Sequence, residues 1–124
     1  MATATSKSLT KRRLGPMQIA KIVAGTAAAV FAIWMIWNWT TIKGEAQVGV
    51  AYGAHITCSC RYIEGRDMAS CETDKEAGME LVSLSDDPAN KRIYASVPFL
   101  AEAVAERRGE FGCVQLSKAE IEAL

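Results

Sequence analysis

The side chains best suited to chemistry are four cysteines that all lie beyond residue 57: Cys58, Cys60, Cys71 and Cys113. Thiols can pair as disulfides, bind a soft metal ion or exchange with other thiols. A bridge between Cys58 and Cys60 would be strained, because bridged Cα atoms prefer a separation of about 5.5 Å in a defined geometry. Two pairings remain: Cys58–Cys113 with Cys60–Cys71, or Cys58–Cys71 with Cys60–Cys113.

A histidine precedes the first two cysteines in the pattern His-x2-Cys-x-Cys, and His55 with these thiols and Cys71 could bind zinc or copper. The usual zinc knuckle has Cys-x2-Cys spacing instead. Thiol exchange would require a thioredoxin-like βαβ pattern, which does not surround residues 58–60. An even number of cysteines in an exported segment is typical of disulfides, so we expect no metal and no cofactor.

The sequence offers little for acid–base or nucleophilic catalysis. His55 is the single histidine, so it alone could be the base of a Ser-His-Asp triad, and no such set of residues stands out. Ser8 and Lys11 match the Ser-x-x-Lys pattern of penicillin-binding proteins, but that serine needs a buried helix terminus, and a polar tail does not provide one. Arg66 and Asp67 are expected to form a turn with a local ion pair. We therefore predict no catalytic residue.

An apolar stretch, residues 17–39, decides which compartment these cysteines occupy. No charge lies between Ile22 and Trp37, and about twenty apolar residues are enough to cross a hydrocarbon core as a helix. Trp34, Trp37 and Trp39 lie at its far end, where indole rings favour the headgroup region. We predict a single transmembrane helix.

A cleaved export signal is the alternative, because a basic segment, an apolar run and small residues at Gly44 and Ala46 also occur in such signals. The run is longer than the roughly 7–15 apolar residues of a signal peptide, and the tryptophans are typical of a retained anchor. We therefore expect the helix to be retained. In both cases the C-terminal part is exported.

Basic residues set the predicted orientation. Lys7, Lys11, Arg12 and Arg13 precede the span, whereas Lys43 alone follows it closely. Positive residues favour the cytoplasmic side, so the N-terminus is expected in the cytoplasm. The resulting domains are a disordered cytoplasmic tail (1–16), the transmembrane helix (17–39), a linker (40–45) and a small exported domain (46–124).

The exported domain is small enough to need cross-links, because domains of this size bury only about 60% of their unfolded surface.

The whole chain has 14 basic and 14 acidic side chains and a net charge of +0. Phosphate binding needs a basic excess, so we expect no nucleic-acid partner. Within the span, Gly25 and Ala29 belong to a ridge of small residues that would let another helix approach closely.

Turn-forming residues divide the domain into short elements. Residues 80–85 and 92–97 flank the sequence DDPANK, which predicts a β-hairpin. Pro98 and the spacing of the next apolar residues predict a helix that stops at Gly109. Arg107 and Arg108 would then be exposed to solvent at its C-terminal end. Residues 111–116 could form a closing strand. The pattern predicts an α+β fold.

The end of the chain has the signature of a short capped helix. Ser117 and Glu120 match the capping-box pattern, and Ile121 and Leu124 would then face inward. Residues 48–62 are ambiguous, because apolar residues alternate there with a period of two, which is typical of a strand.

Residues 51–67, AYGAHITCSCRYIEGRD, followed by RIYAS at 92–96 and RGEFGCVQL at 108–116, resemble a segment of alphaproteobacterial serine hydrolases. That segment precedes the catalytic domain of these β-lactamase-like enzymes, which are often labelled amidases. The family pattern of Cys-Ser, Gly-Arg-Asp and Gly-Cys is matched by residues 58–59, 65–67 and 112–113. Cys60 and Cys71 are not part of that pattern.

The resemblance implies the pair Cys58–Cys113, with Cys60–Cys71 as an added local bridge, and it favours a helix over residues 48–62. In the family the reactive serine and lysine belong to a larger downstream domain, which we expect this chain, ending at Leu124, to lack. It also implies a bacterial setting. We therefore expect a bitopic inner-membrane protein whose C-terminal domain lies in the periplasm.

The function that follows is binding rather than catalysis. We expect a membrane-anchored accessory or interaction module that docks on an envelope hydrolase or complex through its transmembrane or periplasmic face. The alternative is a subunit or fragment of a serine β-lactamase-like hydrolase, an amidase, whose catalytic domain is encoded separately. Beyond the lipid bilayer and such a protein, the sequence names no partner.

Overall fold

A computed structural model describes residues 13–124, and the chain divides into two compact units between Trp37 and Asn38. The predicted cytoplasmic tail, with the Ser8 and Lys11 pattern, lies almost entirely outside the described residues. The basic residues that precede Arg13 lie outside them as well.

The first unit contains one helix, α1, Pro16–Trp37, and none of its residues is buried within the protein. Proline suits the first position of a helix, because its fixed φ is helical and the N–H it lacks would have had no partner there. Within residues 13–124, α1 is the one helix long and apolar enough to cross a membrane. It begins one residue before the predicted span and ends two residues earlier, because Trp39 starts the next helix.

The second unit, Asn38–Leu124, is α+β, as the sequence predicts. Its helices are α2 (Trp39–Tyr62), α3 (Met68–Glu72) and α4 (Lys118–Glu122). Its strands are β1 (Ser83–Asp87), β2 (Arg92–Val97), β3 (Ala101–Arg107) and β4 (Cys113–Gln115). They form one antiparallel sheet in the order β1-β2-β3-β4. The predicted hairpin is β1 and β2, but β1 begins three residues later than predicted and extends through Asp86 and Asp87, which the sequence assigns to the turn.

Helix α2 covers one face of this sheet. Ile93, Ala95 and Val97 alternate along β2 and are all buried against it. Along β3 the same face is lined by alanines, and on α2 Gly53 is buried too. A Cβ on Gly53 would lie 2.9 Å from the Met79 Cε atom, so the end of the Met79 side chain would have to shift to admit it. The small residues let the helix and the sheet approach closely.

The start of the domain differs from one prediction and resolves an ambiguity in another. Residues 40–45 are not a linker but the first turns of α2, where the Ile42 N–H donates to the Asn38 carbonyl at 2.9 Å. Residues 48–62 are helical despite their period of two. Val50, Ala54 and Cys58 recur every four residues and are fully buried, so the helical period also has an apolar face.

The helix predicted after Pro98 is wrong, because residues 101–107 form β3. Ala, Leu and Glu favour helices, but this propensity is weak and β2 offers pairing along six consecutive residues, from Val97 opposite Ala101 to Arg92 opposite Glu106. Pro98 lies in the turn between the two strands. Arg107 and Arg108 therefore follow a strand and do not end a helix.

The C-terminal predictions hold in part. The capping box is present, because the Ser117 side chain accepts from the Glu120 N–H and the Glu120 carboxylate accepts from the Ser117 N–H. Ile121 is half-buried, but Leu124 is exposed and does not face inward. The closing strand is shorter than predicted, because Phe111 belongs to a 3₁₀ turn, Gly109–Phe111.

Candidate functional site

The four cysteines form two disulfides. Cys58 is bonded to Cys113 and Cys60 to Cys71, with Cα–Cα distances of 6.0 and 5.8 Å. These are the pairs that the resemblance implies. The first ties α2 to β4 inside the core, and the second ties α2 to α3. Residues two apart on a helix point about 200° away from each other, which is why neighbouring cysteines reach different partners.

The other residues that could bind a metal are not gathered around the cysteines. His55 is exposed on α2. Within residues 13–124 there is no group of three or more His, Cys, Asp or Glu side chains that could hold a metal ion. The thiols of the His-x2-Cys-x-Cys pattern are joined to other elements, so this pattern is part of the fold's framework.

The local ion pair predicted for Arg66 and Asp67 has a different partner. The Asp67 carboxylate caps α3 by accepting from the Ser70 N–H at 3.0 Å. The Arg66 guanidinium instead donates to the Asp74 carboxylate at 2.5 Å and to the Ser70 hydroxyl. Gly65, with φ of 74°, makes the turn that separates α2 from α3. These contacts hold α3 beside the end of α2.

A second polar cluster joins α2 to β1. The Arg61 Nε donates to the Asp86 Oδ2 at 2.9 Å, and the Tyr62 hydroxyl donates to the other oxygen of the same carboxylate. The Asp86 side chain is 13% exposed. Burial raises the pKa of Tyr62 and the hydrogen bond to Asp86 raises it further. This cluster fixes the end of α2 against the edge strand.

A third set of charges runs along the sheet face that α2 does not cover. The Glu106 carboxylate accepts from Arg92 and from Arg108, and Arg108 also donates to Glu120 of α4 at 2.9 Å. The hydrogen bond from Arg92 lowers the pKa of Glu106, burial opposes this, and the hydrogen bond from Arg108 lowers it further, so that the net effect is a lowered pKa. Bonds from the Ser117 N–H, Arg108 and the Ser117 hydroxyl lower the pKa of Glu120 to about 2. These pairs anchor α4.

A cleft of about 560 Å³ lies beside the β2–β3 turn. Lys43 and Gln47 of α2 line one side, and Leu116, Lys118 and Ile121 line another. The Gln47 side-chain amide donates to the Glu102 carbonyl at 3.0 Å, which fixes the beginning of α2 to β3. The cleft is therefore at the end of the domain where α2 starts.

The turn that borders this cleft exposes a bulky aromatic side chain. Phe99 is 100% exposed, and its φ of 64° lies in the left-handed region. Phe111, at the β3–β4 connection, is 88% exposed. Gly112, its neighbour, lies near Ile63, one residue beyond α2, so Phe111 is at the other end of the sheet.

No protein-family model, curated protein or solved structure matches this chain.

The sequence pattern singles out the cysteines, but it does not indicate Phe99 or the cluster around Asp86. Phe99 falls within the helix predicted after Pro98, which does not form. The Pro-Phe pair after a predicted strand was the available signal, because proline favours the second position of a β-turn.

Proposed function

We propose that the protein is a single-pass membrane protein with its N-terminus in the cytoplasm and its disulfide-bonded domain in the periplasm, where that domain serves as a non-catalytic accessory module. The observation that carries the proposal is α1, a 22-residue apolar helix without a single buried residue, followed directly by a domain with two disulfides. Apolar surface of that length is stable in lipid, and disulfides persist in oxidising compartments.

A binding role is supported by how the domain uses its polar side chains. The guanidinium groups of Arg61, Arg66, Arg92 and Arg108 all form ion pairs with carboxylates of the domain itself. The surface carries large exposed apolar side chains instead, including Leu81 at 74% exposure and the two phenylalanines at the strand connections. A partner that covers such side chains would remove their apolar surface from water.

The topology is tested by fusing a reporter to Leu124. Alkaline phosphatase, which needs export to form its disulfides, should be active there, and green fluorescent protein should be dark in the same position after export through an unfolded state. Mass spectrometry should find the N-terminal residues still attached. An inactive phosphatase would contradict the orientation, and loss of residues 1 to about 46 would indicate a cleaved signal.

The docking role is tested by cross-linking in intact cells, followed by capture of the full chain from solubilised membranes. We expect partners that are captured by the full chain and not by a control that retains residues 1–37 alone. The same set of proteins in both captures would contradict docking by the domain. Labelling the captured proteins with a fluorophosphonate then tests the alternative that the chain is a subunit of a serine β-lactamase-like hydrolase. A labelled partner would be a serine hydrolase. Covalent labelling of this chain itself would contradict the non-catalytic proposal.

A further inference from the structure

In the turn between β2 and β3, one residue has a backbone conformation that is unfavourable for its residue type. The Leu100 N–H donates to the Val97 carbonyl at 3.1 Å, with Pro98 and Phe99 at the two central positions. A proline followed by a residue of positive φ is the pattern of a type II turn, whose third position favours glycine or asparagine. Phenylalanine at a φ of 64° is unfavourable because its Cβ crowds the backbone.

The Phe99 side chain makes no buried contact within the domain that would offset this conformation. The Phe99 side chain is completely exposed, so it gains no burial there. Backbone strain combined with a fully exposed aromatic ring favours a function for that ring outside the domain. Its neighbour Leu100, by contrast, is partly buried against the core and anchors the turn.

The position of the turn indicates what the ring would meet. Phe99 and Lys43 line the same cleft, and Lys43 lies on the first turns of α2. At 1.5 Å per residue, Lys43 is about 8 Å along the helix from Asn38, the residue that follows α1. The turn is therefore close to the point where the chain would leave a bilayer spanned by α1.

The groups around Phe99 have the chemistry of a membrane interface. Lys43 and Lys118 line the cleft, with Glu102 as the acidic side chain among its lining residues. Trp and Tyr are enriched at the level of the lipid headgroups, Phe side chains of interfacial segments are buried at the boundary between headgroups and acyl chains, and basic side chains are attracted to anionic lipids. Trp39, at the beginning of α2, is a second partly exposed aromatic residue at this end of the domain.

We propose that the Phe99 turn inserts its aromatic ring into the headgroup region of the leaflet from which the chain emerges after α1. The turn is then a second, peripheral membrane contact that holds the domain down on the lipid surface. The inference rests on the proposed membrane anchoring and adds a lipid-binding surface to it. A bilayer partner also accounts for why a bulky aromatic residue occupies a turn position that glycine would fill without strain.

Photo-crosslinking tests this contact in the full chain. Benzoyl-phenylalanine is introduced in place of Phe99, Phe111 or Ile33, one at a time, and each chain is reconstituted into vesicles of phosphatidylethanolamine and phosphatidylglycerol. Ile33 lies within α1 and reports anchoring, while Phe111 is the matched control, an exposed phenylalanine at the other end of the sheet. Peptide mapping of the two disulfides shows that each variant is folded.

We expect phospholipid adducts at positions 99 and 33 and at least tenfold fewer at position 111. Adducts at position 33 alone would overturn the Phe99 contact and leave the anchoring intact. The absence of adducts at position 33 would overturn both proposals. Equal lipid labelling at positions 99 and 111, or a cross-link from position 99 to a second copy of the chain, would overturn the inference in favour of unspecific or protein contact.

Discussion

Reduction of the two disulfides is expected to unfold most of the second unit. The Cys58–Cys113 bridge closes a loop with a sequence separation of 55, and the Cys60–Cys71 bridge one of 11. In the chain-entropy model these bridges contribute about 4 and about 3 kcal/mol by restricting the unfolded chain. Their sum is comparable with the whole stability of a small domain, about 5 kcal/mol at the low end of the usual range. Loss of near-UV circular dichroism on adding reductant measures the effect.

Paired substitutions separate the two bridges. Replacing Cys58 and Cys113 together by alanine should destabilise more than replacing Cys60 and Cys71 together, because the first bridge closes the longer loop. It is also part of the core, where Cys58 is fully buried. Denaturant unfolding of both variants, beside the wild-type chain, gives the comparison. A larger loss from the Cys60 and Cys71 pair, or free thiols that bind zinc in the oxidised wild-type protein, would contradict this account.

The features that the sequence predicts well depend on local chemistry. The capping box needs only Ser117 and Glu120 at the correct spacing, and the β1–β2 hairpin needs only its turn residues between two strand-like runs. The apolar span is defined by its own composition. Each of these is encoded within about twenty consecutive residues, so no knowledge of the rest of the fold is required.

The features that the sequence does not predict depend on distant partners. Residues 101–107 have a helix-compatible composition and become a strand because β2 and β4 pair with them. Asp86 looks like part of a turn sequence, and its role arises because β1 brings it to Arg61 and Tyr62, more than twenty residues away in the chain. Phe99 stands out only when its backbone conformation and exposure are known together.

Asp86→Ala is expected to lower the free energy of unfolding by about 2 kcal/mol. The substitution removes the acceptor for both Arg61 and Tyr62, which are only partly exposed and would lose hydrogen bonds that water replaces incompletely. Asp87→Ala is the matched control, because the Asp87 carboxylate accepts from the Asn90 side chain at 2.8 Å and from the Ala89 and Asn90 backbone, all within the β1–β2 turn. Denaturant unfolding should show a clear decrease for the first variant and a small change for the second.

The same cluster predicts a loss of stability in alkaline solution. The folded state raises the pKa of Tyr62 above its usual value of about 10, first by burial and then through the bond to Asp86. A raised pKa means that folding favours the neutral phenol, so this contribution is fully present below about pH 10 and is lost as the pH rises further. The free energy of unfolding should therefore fall above about pH 10 more steeply in the wild-type protein than in Tyr62→Phe, which has no phenol to ionise. Identical slopes in the two proteins, together with equal stability of the Asp86→Ala and Asp87→Ala variants, would show that the α2–β1 cluster does not stabilise the domain.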